Sequence, residues 1–138
     1  MAEKKTSAVK AEPKKKSGRT AAKKSVKKEK IGKIKIIPLG GLEQIGMNMT
    51  VIEYGDSIIV IDCGMAFADD TLLGIDLIIP DITYLKQNKD KIKAMFITHG
   101  HEDHIGAIPY IIKEVNMPIY ATGLSIALIR KKLVEPKL

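Results

Sequence analysis

All three histidines of the chain fall within six residues, His99-Gly100-His101-Glu102-Asp103-His104. The run reads His-x-His-x-Asp-His and follows the apolar stretch Ala94-Met95-Phe96-Ile97-Thr98. Imidazole and carboxylate are the ligands that zinc and other borderline divalent ions take. Side chains of extended chain alternate with period two, so His99 and His101 leave a strand end on one side. Asp103 and His104 then face a neighbouring position, which suggests two metals rather than one. The bland alternative is a solvated polar loop or an accidental cluster; four ligand-type residues at these offsets weigh against it. Two metals about 3.5–4 Å apart clamp the attacking and leaving oxygens of an in-line displacement. Four ligands do not saturate two such ions, each of which wants about four, and no further histidine follows in the chain.

Two other segments bear on this run. Asp62 ends an apolar stretch at the same expected sheet edge, where its carboxylate would take the second N–H of a ligating imidazole. An Asp turn beside Gly64 is the equal alternative. The glycine-rich Leu39-Gly40-Gly41-Leu42-Glu43-Gln44-Ile45-Gly46 could bring backbone amides near a phosphate, but reads better as an ordinary tight loop. The single cysteine, Cys63, excludes an internal disulfide and fits a reducing cytoplasm; beside an apolar run it reads as a small buried hydrophobe.

The elements that must position these residues follow from hydropathy. Residues 33–37 alternate and predict a first strand, ended by Pro38 and Gly40-Gly41. Residues 49–54 and 57–61 flank Gly55-Asp56 and predict a hairpin. A loop from 65 to 81 follows, then a short helix over 82–88 with Asp81 as its N-cap. The strand 94–98 leads into the histidines. Ile105, Ile108, Ile111, Ile112 and Val115 predict one helix over 105–115 with Pro109 in its first turn. A short strand at 118–120 and an amphipathic helix over 124–134 end the pattern. Antiparallel strands followed by alternating strands and helices predict an α/β fold, a mixed sheet with helices on one face. Val51, Ile59, Val60 and Ile61 supply apolar residues to both faces, so a further layer is expected on the other side.

Charge divides the chain. Residues 1–30 hold 12 Lys/Arg against three Glu, whereas residues 31–138 hold 11 against 13 Asp/Glu. The 1–30 segment has too few apolar residues to offset the entropy of ordering and reads as a disordered Lys-rich tail. Such an arm gains salt-sensitive affinity for nucleic acid through counterion release, or serves as a solubilising extension. No apolar run reaches the length of a membrane span, and no signal or transit peptide is evident. The expected location is the cytoplasm.

The run 99–104 after a strand, with Asp62-x-Gly64, resembles the metallo-β-lactamase superfamily. Pro38-Leu39-Gly40-Gly41, Gln44-Ile45-Gly46-x-Asn48, Leu73-Gly74-Ile75-Asp76-Leu77-Ile78-Ile79-Pro80-Asp81 and the stretch from Thr98 to Tyr110 are similar to the bacterial ribonuclease J family of the β-CASP group. The resemblance covers about residues 33–134. Ala68 stands where that family commonly has proline, and Gln44 where Glu is frequent. The resemblance implies the N-terminal half of an αββα sandwich over 31–138. It also implies a zinc-dependent ribonuclease, 5′-to-3′ exonuclease and endonuclease, in RNA maturation and decay. His99 and His101 would bind one Zn2+ and Asp103 and His104 the other, with Mn2+ or Mg2+ as alternatives. Metal-bound hydroxide would attack the phosphodiester, with Asp103 and His104 in the catalytic role. RNA, RNA-decay partners and a homo-oligomeric full-length form are the implied associations. The family's further ligands lie downstream, so the chain is expected to be an N-terminal portion, inactive by itself. The rival readings are another hydrolase of the same superfamily, or a non-catalytic RNA-binding fragment.

Overall fold

The hairpin expected around Gly55-Asp56 forms. In the computed structural model, which describes residues 32–69 and 71–134, β2 (Met49–Tyr54) and β3 (Ser57–Ile61) pair antiparallel with Val51 opposite Val60. Gly55 has a φ of 57°, the positive value that a two-residue hairpin loop demands at its first central position. Strand β1 (Ile34–Gly40) pairs antiparallel with the outer side of β2. A minor two-stranded sheet joins β4 (Ala66–Phe67) to β5 (Leu77–Ile78) inside the segment expected to be loop. Strands β6 (Ile92–Phe96) and β7 (Ile119–Tyr120) extend the main sheet in parallel, giving the order β1-β2-β3-β6-β7. The lysine-rich segment 1–30 lies outside the described residues.

Helices α1 (Thr83–Gln87), α2 (Glu102–Ile105), α3 (Ile108–Glu114) and α4 (Gly123–Val134) complete the chain. Met49, Val51, Val60 and Met95 are buried on one sheet face, and pack in one cluster with Leu85 of α1, Ile108 and Ile111 of α3, and Ile129 of α4. Each large side chain so buried contributes about 1.5–3 kcal/mol. The result is an α/β fold with a mixed sheet covered by helices on one face. Among the described residues the other face stays apolar and open: Ile34, Ile36, Tyr54, Phe96 and Tyr120 are all exposed, with the Phe96 and Tyr120 rings stacked 5.3 Å apart.

Several boundaries differ from expectation for physical reasons. Strand β1 runs through Pro38 to Gly40, because an edge strand tolerates a residue without an N–H; the register shifts between Pro38 and Gly40. The helix expected over 105–115 is two, α2 and α3. Pro109 stands in the first turn of α3, and its ring would clash with the carbonyl four residues back, that of Ile105, in a continuous helix. The N-cap of α1 is Ile82 and not Asp81 as expected; Asp81 stands one residue before it, where its Oδ1 accepts the Thr83 N–H at 2.8 Å and the Thr83 hydroxyl at 2.6 Å.

One buried charge was not anticipated. Glu53 lies on the core face of β2, only 4% exposed. It accepts the Tyr84 hydroxyl, and Lys35 and Lys91 at 3.1 and 3.2 Å. The Tyr84 hydroxyl first, and Lys35 next, hold its carboxyl down to about 2 from an ordinary 4.5. The cluster ties β1 and α1 to β2 at the end of the sheet away from the histidines.

Candidate metal centre

Strands β3 and β6 are parallel, so their C-terminal ends lie side by side, the usual place for a ligand site in such a sheet. Ile61 pairs with Phe96, which sets Asp62 beside the Ile97-Thr98 segment, and the Asp62 N–H donates to the Phe96 carbonyl at 2.9 Å. Asp62 has a φ of 60°, a left-handed conformation that Asp adopts more readily than most residues. The residue is 5% exposed, and its carboxylate receives four bonds. Oδ1 accepts the Thr98 N–H at 2.8 Å and the Thr98 hydroxyl at 3.1 Å; Oδ2 accepts the same hydroxyl at 2.9 Å and Nδ1 of His104 at 2.8 Å. Of the two roles open to it, Asp62 takes the one that holds an imidazole.

This network dictates where the imidazole protons sit. A carboxylate only accepts, so Nδ1 of His104 carries a proton toward Asp62, and in the neutral ring Nε2 is then the nitrogen with the lone pair. The one Thr98 proton goes to Asp62, so the hydroxyl accepts from Nδ1 of His99 at 3.0 Å, and Nε2 of His99 is also left as a lone pair. Thr98 thus carries the influence of Asp62 to a second histidine, a role invisible in the spacing.

The four sequence candidates come together as two pairs of donor atoms. Nε2 of His99 lies 3.1 Å from Nδ1 of His101, and Oδ2 of Asp103 lies 3.3 Å from Nε2 of His104. The His99 and His104 rings are 4.0 Å apart and join the pairs. Among the described residues no three His, Cys, Asp or Glu side chains already enclose one point. The second pair sets two acceptor atoms face to face, an arrangement that a shared cation relieves; the donor set therefore fits a divalent metal.

Three backbone bonds to the Cys63–Met65 segment hold the histidine loop. Cys63 N–H donates to the His104 carbonyl at 2.8 Å, Ala107 N–H to the Cys63 carbonyl at 3.0 Å, and Met65 N–H to the Glu102 carbonyl at 3.2 Å. A side chain at Gly64 would run into the Asp103 carbonyl, which explains the glycine in Asp62-x-Gly64. Cys63 is buried, and burial pushes its thiol up, away from reactivity. Lys132 of α4 pairs with Glu102 at 2.7 Å.

Sequence reasoning missed Asn48 as a participant. Its Nδ2 lies 3.1 Å from both the carbonyl oxygen and Oδ2 of Asp103, and 3.3 Å from Nε2 of His104. Its signs were its place after a glycine-rich loop and its position in the Gln44-Ile45-Gly46-x-Asn48 segment that carries the family resemblance. That loop is closely packed: side chains at Gly40 and Gly41 would meet Met47 and Asn48.

Residues 45–136 match the family model of the Metallo-beta-lactamase superfamily, and the chain belongs to that superfamily. Within it, the chain is 57% identical over 104 residues to Ribonuclease J of Mycoplasma pneumoniae, covering 75% of this chain and 18% of that protein. It is 52% identical over 111 residues to Ribonuclease J 1 of Streptococcus pyogenes, covering 80% and 19%. It is 57% identical over 102 residues to Ribonuclease J of Helicobacter pylori, covering 74% and 15%. The chain spans less than a fifth of the length of these relatives.

Proposed function

We propose that this chain carries the first metal-binding half of a divalent-metal-dependent ribonuclease that hydrolyses RNA phosphodiesters. The observation that carries the reading is the paired donor set at the ends of β3 and β6, with Asp62 presenting Nε2 of both His99 and His104 as lone pairs. Identity to proteins named Ribonuclease J supports RNA as the substrate. His99 and His101 hold one ion, Asp103 and His104 the other, zinc being the ion that this donor set favours, with manganese or magnesium as alternatives. When bound, the metal supplies Lewis-acid charge stabilisation and a more acidic water. The protein's part is to hold the imidazoles in place with Nε2 turned outward. Asp62 does so directly at His104 and through Thr98 at His99, while the Cys63 and Gly64 backbone fixes the loop. Action in RNA maturation and decay in the cytoplasm, by both exonuclease and endonuclease cuts, follows as part of the same proposal.

Metal loading and hydrolysis of 5′-monophosphorylated RNA test it, in the protein that carries this segment. Hydrolysis that requires metal and falls more than about 100-fold in His101→Ala is expected, since outer partners alone are worth about 10–100-fold. Full activity of His101→Ala would defeat the metal assignment. Metal binding with RNA retention but no hydrolysis would favour a non-catalytic RNA-binding role.

A further inference from the structure

We propose that Asn48 is a positioning residue that assembles the Asp103–His104 half of the site; the inference rests on the metal reading above. The Asn48 carboxamide nitrogen has two protons and three acceptors around it: the Asp103 carbonyl oxygen, Oδ2 of Asp103 and Nε2 of His104. The last two are the facing acceptors of the second donor pair, and a donor between them offsets their repulsion. The orientation of the amide follows from those partners: its oxygen in that place would set acceptors against acceptors.

Asn48 is itself fixed by backbone. Its N–H donates to the Asp103 carbonyl at 3.0 Å, and its own carbonyl accepts the Gly64 N–H at 3.0 Å. The same residue therefore joins the loop before β2, the Asp62–Gly64 turn and the histidine loop. Nε2 has one lone pair and a carboxylate oxygen two. Asn48 can thus keep its bond to Asp103 when His104 turns its lone pair to a cation. The residue holds both donors together beforehand and afterwards keeps only the carboxylate.

Zinc affinity of the full chain, read by competition with a chelator, tests this together with imidazole 15N shifts of the metal-free chain. Asn48→Ala should weaken zinc binding about 10-fold or more, the scale of an outer hydrogen-bond partner. It should move the Nε2 resonance of His104 and leave that of His99 in place. The loss should shrink in an Asp103→Asn background and persist undiminished in a His101→Ala background, because only residues that act together fail to add. Asn48→Ser, too short to reach Oδ2, should repeat the pattern. A parent chain without zinc affinity would overturn the metal reading and this inference together. Parental affinity in Asn48→Ala, or equal losses in both backgrounds, would overturn this inference alone. So would unfolding of both variants without zinc, since Asn48 would then be a residue of the fold.

Discussion

Oδ2 of Asp62 lies 2.8 Å from Nδ1 of His104, across 42 residues of sequence. That single bond decides which nitrogen of His104 faces outward, and the left-handed backbone of Asp62 is what turns the carboxylate toward it. A non-glycine residue in that conformation, buried at a site, marks a place where function outweighs local backbone preference.

Asp62→Asn isolates this relationship, because Asn also tolerates the left-handed backbone. The amide group can no longer accept from both Thr98 and His104 through two carboxylate oxygens. Zinc affinity is expected to fall about 10–100-fold, and the proton on His104 to leave Nδ1 in part of the population. Chelator competition and long-range 1H–15N spectra read the two effects; unchanged spectra would remove Asp62 from the proposed role.

Gly64→Ala should act on the same loop through space alone. The added methyl meets the Asp103 carbonyl, a backbone atom that cannot swing aside. A loss of about 1–3 kcal/mol is expected, the range of an overpacked interior, measured by denaturant unfolding of the metal-free chain. Zinc affinity should fall as well, since the displaced peptide belongs to Asp103.

The Glu53 cluster predicts acid sensitivity at a distance from the site. Its folded pKa of about 2 lies below the ordinary 4.5, so the carboxylate contributes stability that is complete above about 4.5. That contribution disappears as pH falls toward 2. Tyr84→Phe removes the first of the groups that lower it and should narrow this window, moving the acid transition to higher pH. Thermal melts followed by circular dichroism between pH 2 and 6 report the shift, and an unmoved transition would count against the cluster.

The open sheet face predicts association. Ile34, Ile36, Tyr54, Phe96 and Tyr120 form an exposed apolar surface beside the edge strand β1, the combination that promotes contact between chains. Sedimentation should show concentration-dependent self-association of the chain. Ile36→Lys, at a site 69% exposed, should reduce it and change folding stability by no more than about 0.5 kcal/mol.

Much of the fold and the four candidate donors were legible in the sequence, because both are written at short range. Alternation over 49–54 and 57–61 and the Gly55-Asp56 turn specify a hairpin without reference to the rest of the chain. The offsets within 99–104 state which donor atoms lie near one another. Proline positions were read less well. Pro38 lies within β1, where an edge position tolerates it, and Pro109 stands in a first helical turn as expected, but of a helix that begins later because of a carbonyl one turn earlier.

The amino-acid sequence alone determined the types of donor, their pairing along a strand end, and an apolar pattern too rich for one sheet face. Only the tertiary structure decided what controls those donors. Asp62 on His104, Asn48 on Asp103, and Tyr84 on Glu53 span 42, 55 and 31 residues, separations that leave no mark on local periodicity. Hydrogen-bond partnership depends on atoms within about 3 Å, and which distant atoms come that close is set by strand register and loop packing.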